Sequence, residues 1–399
     1  MKEGYRLLGD FIRQVDVRNT DGKEENLLGV SVQKMFIPSI ANTVGTDFTK
    51  YKVVKRGQFT YIPDTSRRGD KIGIALLTDY DEGLVSNIYT VFEVKDENEL
   101  LPEYLMLWFS RPEFDRYARF KSHGSVREIM DWDEMCKVEL PVPSIEKQRS
   151  IVKAYNTITD RIELKRKIND NLAKTIKAVF KSWFLDFDAF DGVELVQSQY
   201  GLIPNGWHYE LLGNLCDCVT KGTTPTTLGK DFTDTGINFI KGESINDDHS
   251  FNKTLFAHID DETDELLKRS RIYVNDIVFT IAGTLGKFAL VDSSVIPANT
   301  NQAVAIIRTS KIMPAMLYSY FIGEWQVEFY KRNTQQAVQA NLSLGTIKDL
   351  PILLPDSKGQ DHYMQLVTPL MVGMQNNFSE IERLYELQNQ LLARLSSSR

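Results

Sequence analysis

The sequence predicts an α+β protein of two repeated domains and two long helices that pair antiparallel as a coiled coil. Three observations predict this fold: an internal repeat, short β-branched runs at the start of each copy, and a long apolar stripe at helical spacing at its end. The 399-residue chain is also too long for one ordinary hydrophobic core. We place the domains at 1–142 and 205–355, the long helices at 143–190 and 356–399, and a linker at 191–204.

The internal repeat is visible in matched residues at a nearly constant offset. Leu101-Pro102 and Phe109 reappear as Met313-Pro314 and Phe321, which lie 212 positions later. The same offset relates Val126 to Val338, Pro143 to Pro355, Gln148 to Gln360 and Leu172 to Leu384. Upstream, Ala75 matches Ala289 and Asn87 matches Asn301 at an offset of 214, and Tyr5–Gly9 matches Tyr209–Gly213 at an offset of 204. The changes in offset place insertions in loops, so the chain is predicted to be a duplication.

Each copy opens with short β-branched and aromatic runs that predict strands. They lie at 28–32, 58–62, 72–77 and 88–94 in the first copy, and at 237–240, 277–281, 288–291 and 303–307 in the second. A helix is predicted to follow in each copy, at 103–120 and at 314–331. Two nearby prolines then end each globular part, because the residue before a proline favours an extended backbone.

Each copy closes with an apolar stripe whose members are three or four residues apart, the spacing of a coiled-coil seam. The first stripe is Ile151, Tyr155, Ile158, Ile162, Ile168, Leu172, Ile176, Val179 and Trp183, and the second is Leu370, Met374, Phe378, Ile381, Leu384, Leu387, Leu391 and Leu395. Alternatively, each stripe belongs to an ordinary amphipathic helix on its own domain. We favour mutual antiparallel pairing, because about 40 helical residues span about 60 Å, more than the width of one domain. Pro369 and Gly373 are expected to kink or remove the first turns of the second helix.

Composition narrows the class of protein. With 42% hydrophobic and 25% charged residues the chain can form real cores, and no apolar run reaches the length of a membrane span. No signal-peptide core is present, so we expect a cytoplasmic protein with no membrane partner. Three cysteines are too few for a disulfide framework and one short of a four-cysteine zinc site. The net charge of −7 weakly disfavours non-specific nucleic-acid binding but does not exclude a local basic groove.

Motifs for catalysis are mostly missing. None of the five histidines has a cysteine or carboxylate at metal-ligand spacing, and the 283–287 segment lacks the spacing of a phosphate-binding loop. Asp64, Glu93 and Lys95 have the residue types of a metal-dependent nuclease. At the offset of 214, however, the counterparts of Glu93 and Lys95 are Ile307 and Thr309, so the duplicated unit does not need them. We expect no catalytic residues, no bound metal and no cofactor in this chain.

Loops rich in basic and amide residues occur in both copies, and such side chains contact phosphates and base edges in DNA. They lie at 64–71 and 121–127 in the first copy, and at 221–226, 241–243, 298–302 and 333–336 in the second. The candidate DNA-binding residues are Arg67, Arg68, Lys71, Lys121 and Arg127 in the first copy, and Lys221, Thr223, Thr224, Lys241, Lys287, Asn301 and Gln302 in the second. Each could instead belong to an ordinary solvated loop.

Three strings and their order resemble a known family. Residues 140–148 (LPVPSIEKQ), 180–187 (FKSWFLDF) and 201–207 (GLIPNGW) resemble the specificity subunits of type I restriction-modification systems, and Gly222-Thr223-Thr224-Pro225 resembles the turn that opens many of that family's recognition domains. The resemblance spans nearly the whole chain. It departs from the family at Gly359, which stands where an acid is usual before Gln360, and at the C-terminus, which has no Trp-Phe counterpart.

The resemblance implies two target-recognition domains with pseudo-twofold symmetry that bind a bipartite double-stranded DNA target. It implies no catalytic site in this chain; two modification subunits would supply S-adenosylmethionine-dependent adenine methylation, and restriction subunits would supply ATP- and Mg-dependent translocation and cleavage. The end of the central helix carries more apolar side chains than one seam can bury, namely Trp183, Phe184 and Phe187. We therefore expect these residues to bind the modification subunits. The second-ranked function is a coiled-coil scaffold with two protein-binding heads. The third is a nuclease with its site at Asp64, Glu93 and Lys95.

Overall fold

The computed structural model describes residues 4–39, 45–64, 71–122, 128–190, 192–328 and 342–396. The chain forms two compact units. The first unit comprises residues 1–162 and 382–399, and the second comprises residues 163–381. Two long helices contribute to both units: the central helix, Ile145–Phe184, and the C-terminal helix, Ser357–Arg394.

The first unit is an α+β fold whose largest core is rich in aromatic residues, with smaller apolar clusters beside it. Its strands are β1 (Tyr5–Leu7), β2 (Ile12–Val15), β3 (Leu28–Val30), β4 (Phe36–Pro38), β5 (Lys52–Lys55), β6 (Phe59–Tyr61), β7 (Ile74–Leu76), β8 (Glu82–Val85), β9 (Thr90–Val94) and β10 (Glu139–Pro141). Its shorter helices are Pro102–Phe109, Pro112–Lys121 and Trp132–Cys136. In the core, Phe59 stacks on Phe92 with ring centroids 4.9 Å apart, and Phe109 meets both rings edge-on.

The second unit has the same class of fold. Its strands are β11 (Leu195–Ser198), β12 (Gly201–Pro204), β13 (His208–Leu211), β14 (Cys216–Lys221), β15 (Ile237–Ile240), β16 (Ala257–Ile259), β17 (Ile277–Thr280), β18 (Phe288–Leu290), β19 (Ala298–Thr300), β20 (Val304–Thr309) and β21 (Pro351–Leu354). Its shorter helices are Leu212–Leu215, Asp261–Leu266, Pro314–Ile322 and Leu344–Lys348. All eight predicted strands are therefore present, within a few residues of their predicted bounds.

The central sheets of the two units have the same topology. The first unit has the antiparallel order β2-β9-β6-β7, and the second has β14-β20-β17-β18, also antiparallel. Ala75 pairs with Thr60 on β6, and its predicted counterpart Ala289 pairs with Val278 on β17. The duplication predicted from sequence is therefore a duplication of strand order and register.

A second set of matched contacts confirms the repeat offsets. Tyr5 pairs with Pro141 in the β1–β10 ladder, and Tyr209 pairs with Leu353 in the β13–β21 ladder, as offsets of 204 and 212 require. An added Cβ at Gly9 would lie 2.8 Å from the Cβ of Cys136, and one at Gly213 would lie 3.0 Å from the Cβ of Lys348. Each copy thus needs a glycine at this position, where the chain contacts the short helix that ends at Cys136 in the first unit and at Lys348 in the second.

The two glutamines that follow the prolines also have matched contacts. Gln148 is fully buried, and its Nε2 donates to the Pro143 carbonyl at 2.9 Å. Gln360 Nε2 donates to the Pro355 carbonyl at 2.9 Å. Gln148 makes further hydrogen bonds to the main chain at Glu99 and Leu101, so it fixes the start of the central helix against the domain.

The predicted helices after the strands are shorter than expected. The predicted helix at 103–120 is two helices, because Pro112 has no N–H for a continuous ladder and instead occupies the first turn of a new helix. In the second unit the first helix ends at Ile322 and a turn at 323–324 separates it from helical residues at 325–328; the predicted end at residue 331 lies outside the described residues.

The long helices pair antiparallel within each unit, as predicted. In the second unit Lys165 Nζ lies 2.8 Å from Glu380 Oε2, and the Trp183 ring contacts Tyr363 with centroids 5.3 Å apart, so residue numbers rise along one helix as they fall along the other. In the first unit Gln388 Nε2 donates to Thr159 Oγ1 at 2.7 Å.

Three details of the predicted seam are wrong. Ile168 and Leu387 are exposed, and the neighbouring polar residues Asn169 and Gln388 are buried in their place. The C-terminal helix is also continuous from Ser357 through Pro369, so the alternative that its first turns are absent is wrong, while a kink at Pro369 stays a prediction. Burial of this segment, which includes the fully buried Tyr363, offsets the hydrogen bond that proline removes.

Candidate nucleic-acid interface

The ends of five strands meet at one edge of the second unit. In the sheet registers Lys221 lies opposite Ala305, Thr280 opposite Val304, and Ile240 opposite Thr300. The loops that follow or precede these positions carry Lys221, Thr223, Thr224, Lys241, Lys287, Asn301 and Gln302. The structure therefore gathers all seven second-copy candidates, from four separate segments, at one edge. We call this edge the second-unit loop edge.

A close contact at Gly222 is the reason that the Gly-Thr-Thr-Pro turn at this edge begins with glycine. Its N–H donates to the Asn301 carbonyl at 3.1 Å. A Cβ at Gly222 would lie 1.7 Å from the Thr300 carbonyl oxygen, a distance that no side chain can adopt. The end of β14 therefore lies directly against the β19–β20 turn, and this close approach places Thr224 beside Gln302.

Thr224 and Gln302 form a side-chain hydrogen bond across the loop edge. Thr224 Oγ1 donates to Gln302 Oε1 at 2.5 Å. Asn301 has a different role, because its Oδ1 accepts from the Ala303 N–H at 3.1 Å and closes a local turn. The two adjacent amide side chains thus have different hydrogen-bond partners: Asn301 bonds to its own turn, and Gln302 bonds to another loop.

The lysines at this edge differ in the groups that contact their positively charged ammonium groups. Lys221 is exposed. Lys241 Nζ lies 4.6 Å from the centroid of the Phe232 ring, a cation–π contact. Lys287 Nζ lies 2.9 Å from Asp247 Oδ1, and that aspartate side chain is 90% exposed. The Lys287 side chain is 21% exposed, so this ion pair is only partly open to solvent.

His249 packs on Phe288, the residue that follows this lysine, and was not predicted as a functional residue. Its ring stacks on Phe288 with centroids 4.0 Å apart. Burial lowers the pKa of His249 below its usual value, although Asp248, a hydrogen bond to the Phe288 main chain and Asp247 oppose the shift. The imidazole is therefore neutral near pH 7, and the packing around it is sensitive to protonation.

In the first unit the predicted residues are only partly described. Arg67, Arg68 and Arg127 lie outside the described residues, as does the 333–336 loop of the second unit. Lys71 is exposed. Lys121 ends its helix half-buried, with Nζ 3.8 Å from Glu134 Oε2 and 6.0 Å from the Tyr117 ring centroid. The structure therefore shows a partner for Lys121 within the chain.

A buried ion pair beside Lys71 was missed by sequence reasoning. Lys34 Nζ lies 2.6 Å from Asp115 Oδ1, and the two side chains are 9% and 11% exposed. The same Oδ1 accepts from the Ile72 N–H at 3.1 Å. Asp115 thus joins the β3–β4 turn, the segment after Lys71 and one helix. Burial lowers the pKa of Lys34, against the opposing effect of Asp115. No sequence signal connects residues 81 positions apart.

Two residues of the nuclease alternative, Glu93 and Lys95, have structural roles. Glu93 accepts hydrogen bonds from Arg13 and Gln58, and Lys95 Nζ donates to the Gly9 carbonyl at 2.8 Å. The sheet registers also correct the counterpart of Glu93, which is Arg308 rather than Ile307. Across the described residues, no group of three or more His, Cys, Asp or Glu side chains is placed to hold a metal ion.

Among the described helices none is both long and apolar enough to span a membrane.

Comparison with known families agrees with this duplicated architecture. The model of the type I restriction modification DNA specificity domain matches the chain twice, at residues 11–174 and 204–372. Together these ranges contain most of the chain, with one copy of the repeat in each. The chain belongs to this family.

Curated relatives are consistent with that assignment. The chain is 25% identical over 302 residues to the MjaIX specificity subunit of Methanocaldococcus jannaschii, covering 74% of this chain and 68% of the relative. It is 23% identical over 461 aligned residues to the HindI specificity subunit of Haemophilus influenzae, covering 97% of each chain. A crystal structure of a type I system S subunit from M. genitalium has a TM-score of 0.49 at 14% identity, covering 98% of this chain and 95% of that one.

As specificity subunits, members of this family carry recognition, and they are not themselves catalytic. The sequence-based assignment to the family is therefore confirmed. The predicted DNA-binding residues are a separate matter, and they stay predictions.

The expectation that Trp183 and Phe184 remain uncovered for a partner is wrong in this specificity subunit. The two side chains are 4% and 2% exposed and lie in the core of the second unit. Phe184 contacts Tyr320 and Tyr363, and Phe187 packs half-buried on Trp207. The apolar surface exceeded one coiled-coil seam, as the sequence suggested, but the adjoining domain buries the excess.

Proposed function

We propose that this specificity subunit reads a bipartite DNA duplex, with one half-site bound by each unit, and directs partner subunits to that target. The carrying observation is that two copies of one sheet topology present different side chains at the same edge. In the registers, Lys221 of the second unit occupies the position of Asp16 in the first. Two similar scaffolds with different loop chemistry are suited to two half-sites that are not palindromic.

The second-unit loop edge supplies the contact types that DNA recognition needs. Exposed Lys221 can neutralise a phosphate, and Thr224 and Gln302 carry hydrogen-bonding groups suited to base edges. The corresponding surface of the first unit includes exposed Lys71, held next to the Asp115 ion pair. The loops with Arg67, Arg68 and Arg127 are proposed to complete it.

The catalytic steps are proposed to belong to partners. Two modification subunits would bind S-adenosylmethionine and methylate adenine, and restriction subunits would use ATP and Mg for translocation and cleavage. The complex would act in the cytoplasm, where its DNA target is. In this arrangement the present chain decides only where the chemistry occurs.

The test is selection of a randomised duplex library by the full chain. We expect two short preferred blocks separated by an unread gap. Lys221→Ala should weaken binding to all sequences and reduce the salt dependence of the affinity by about one phosphate contact. Lys268→Ala is the matched control, because this exposed lysine of the second unit already pairs with Glu265. A wild-type chain that selects no sequence, or a single contiguous block, would contradict the proposal.

A further inference from the structure

The β19–β20 turn carries two adjacent amide side chains that the sequence treats alike, and the structure separates their roles. Asn301 is committed to the fold. Its Oδ1 accepts from the Ala303 N–H, and its carbonyl accepts from the Gly222 N–H, both at 3.1 Å. These bonds orient the Asn301 amide toward its own backbone and shape the turn.

Gln302 is exposed, and only its oxygen is engaged. Oε1 accepts from Thr224 Oγ1 at 2.5 Å, and within the described residues Nε2 donates to no other group. A carbonyl oxygen can accept a second hydrogen bond, so the outward side of this amide presents one acceptor and a donor. Thr224 also distinguishes the two ends of the amide, because its hydroxyl hydrogen bonds to the oxygen.

Fixing an exposed glutamine side chain costs conformational entropy, and this cost is offset only where the fixed orientation improves binding. A free glutamine side chain loses rotamer entropy when it is fixed, and a side chain already oriented in the free protein avoids much of that loss on binding. A phosphate requires only donors, so a fixed acceptor adds nothing to phosphate binding. A base that offers a donor beside an acceptor gains from a fixed amide, and adenine does so in the major groove through N6 and N7.

We propose that Gln302 reads an adenine in the major groove of the half-site bound by the second unit, and that Thr224 is its positioning residue. This inference rests on the proposed function and deepens it by naming a base. Gly222 completes the arrangement, because the close approach of its backbone to Thr300 brings Thr224 to Gln302.

The experiment compares base preferences selected from a randomised duplex library by full-length variants. Gln302→Ala should reduce the preference for adenine at one position of one half-site by about 5- to 150-fold, the discrimination of one bidentate contact. Gln302→Glu should change the preferred base at that position to cytosine, because a carboxylate accepts from cytosine N4. All positions of the other half-site should keep their preferences.

Thr224 is tested by its conservative variant. Thr224→Val should weaken the adenine preference at the same position, and Thr224→Ser, which retains the hydroxyl, should restore it. A merely structural role for Thr224 would lower affinity at every position of the half-site and would not depend on the hydroxyl. Asn301→Ala is a contrasting variant, because loss of the turn should weaken the whole half-site.

Two failures can be distinguished. If the wild-type chain selects no sequence, the proposed function is wrong. If the wild type selects a bipartite target while Gln302→Ala and Gln302→Glu keep every base preference, the function stands and the assignment of Gln302 is wrong. A wild-type half-site with no adenine at the affected position would also overturn it.

Discussion

The buried polar layer between the long helices offers the sharpest test of how this fold is stabilised. In the second unit Asn377 Nδ2 donates to Asn169 Oδ1 at 2.7 Å, and Asn169 Nδ2 donates to the Met374 carbonyl at 3.3 Å. Lys165 Nζ donates to Asn377 Oδ1 at 2.9 Å and also pairs with Glu380. Asn169 and Asn377 are 3% and 7% exposed, so water cannot replace a lost partner.

The perturbation is Asn377→Leu, alone and together with Asn169→Leu. The single change leaves Asn169 Oδ1 buried without its donor, which costs about 1–3 kcal/mol, while Lys165 keeps Glu380. The double change replaces both polar groups by apolar groups of similar size, which is often nearly neutral. We therefore expect the double variant to recover most of the stability that the single variant loses.

The assay is denaturant unfolding of the full chain, with hydrogen exchange of peptides from the second unit to localise the change. Asn376→Leu is the matched control, because Asn376 is exposed on the same helix and should change stability by less than about 0.5 kcal/mol. If the double variant loses as much stability as Asn377→Leu alone, or more, the asparagines are not coupled across the seam and the reasoning is refuted.

Three further predictions address other parts of the molecule. Asp115→Asn should destabilise the first unit by about 3–5 kcal/mol, because it leaves Lys34 charged and buried; hydrogen exchange in the first unit checks this, and unchanged exchange would contradict it. Because burial lowers the pKa of His249, its contribution to stability is present above the unfolded value of 6.5 and is lost as pH falls below it; His249→Asn, which tolerates the positive φ of 68°, should flatten the slope of stability against pH below 6.5. If the proposed bipartite target is read, adding one heptad after Ile162 and one after Leu384 should lengthen the helical pair by about 10 Å and the proposed gap by about three base pairs, with both proposed half-sites unchanged; sequencing of methylated bases checks the gap, and an unchanged gap means that the helices do not set the spacing.

The sequence by itself determined the duplication and the elements within each copy. The offsets of 204 and 212 recur in the pairing of Tyr5 with Pro141 and of Tyr209 with Leu353. This success has a simple cause: strand and helix signals are local, and two similar sequences find the same register because the same apolar residues must face the same core. Family membership followed from strings that are also local.

Other features depended on contacts between residues far apart in the chain. Periodicity placed Ile168 in the seam, but the observed register buries Asn169, one residue later on the helix. The sequence identified the aromatic cluster at Trp183, but only the folded second unit shows that its own domain covers it.

The candidate site shows the same division between local and tertiary information. Composition marked Asn301 and Gln302 equally, because both are amides in a polar loop. Only the tertiary structure brings Thr224 to Gln302 across 78 residues, and Lys34 to Asp115 across 81. A hydrogen bond depends on positions to within a few tenths of an ångström, and those positions are set by the packing of the whole unit rather than by the residues themselves.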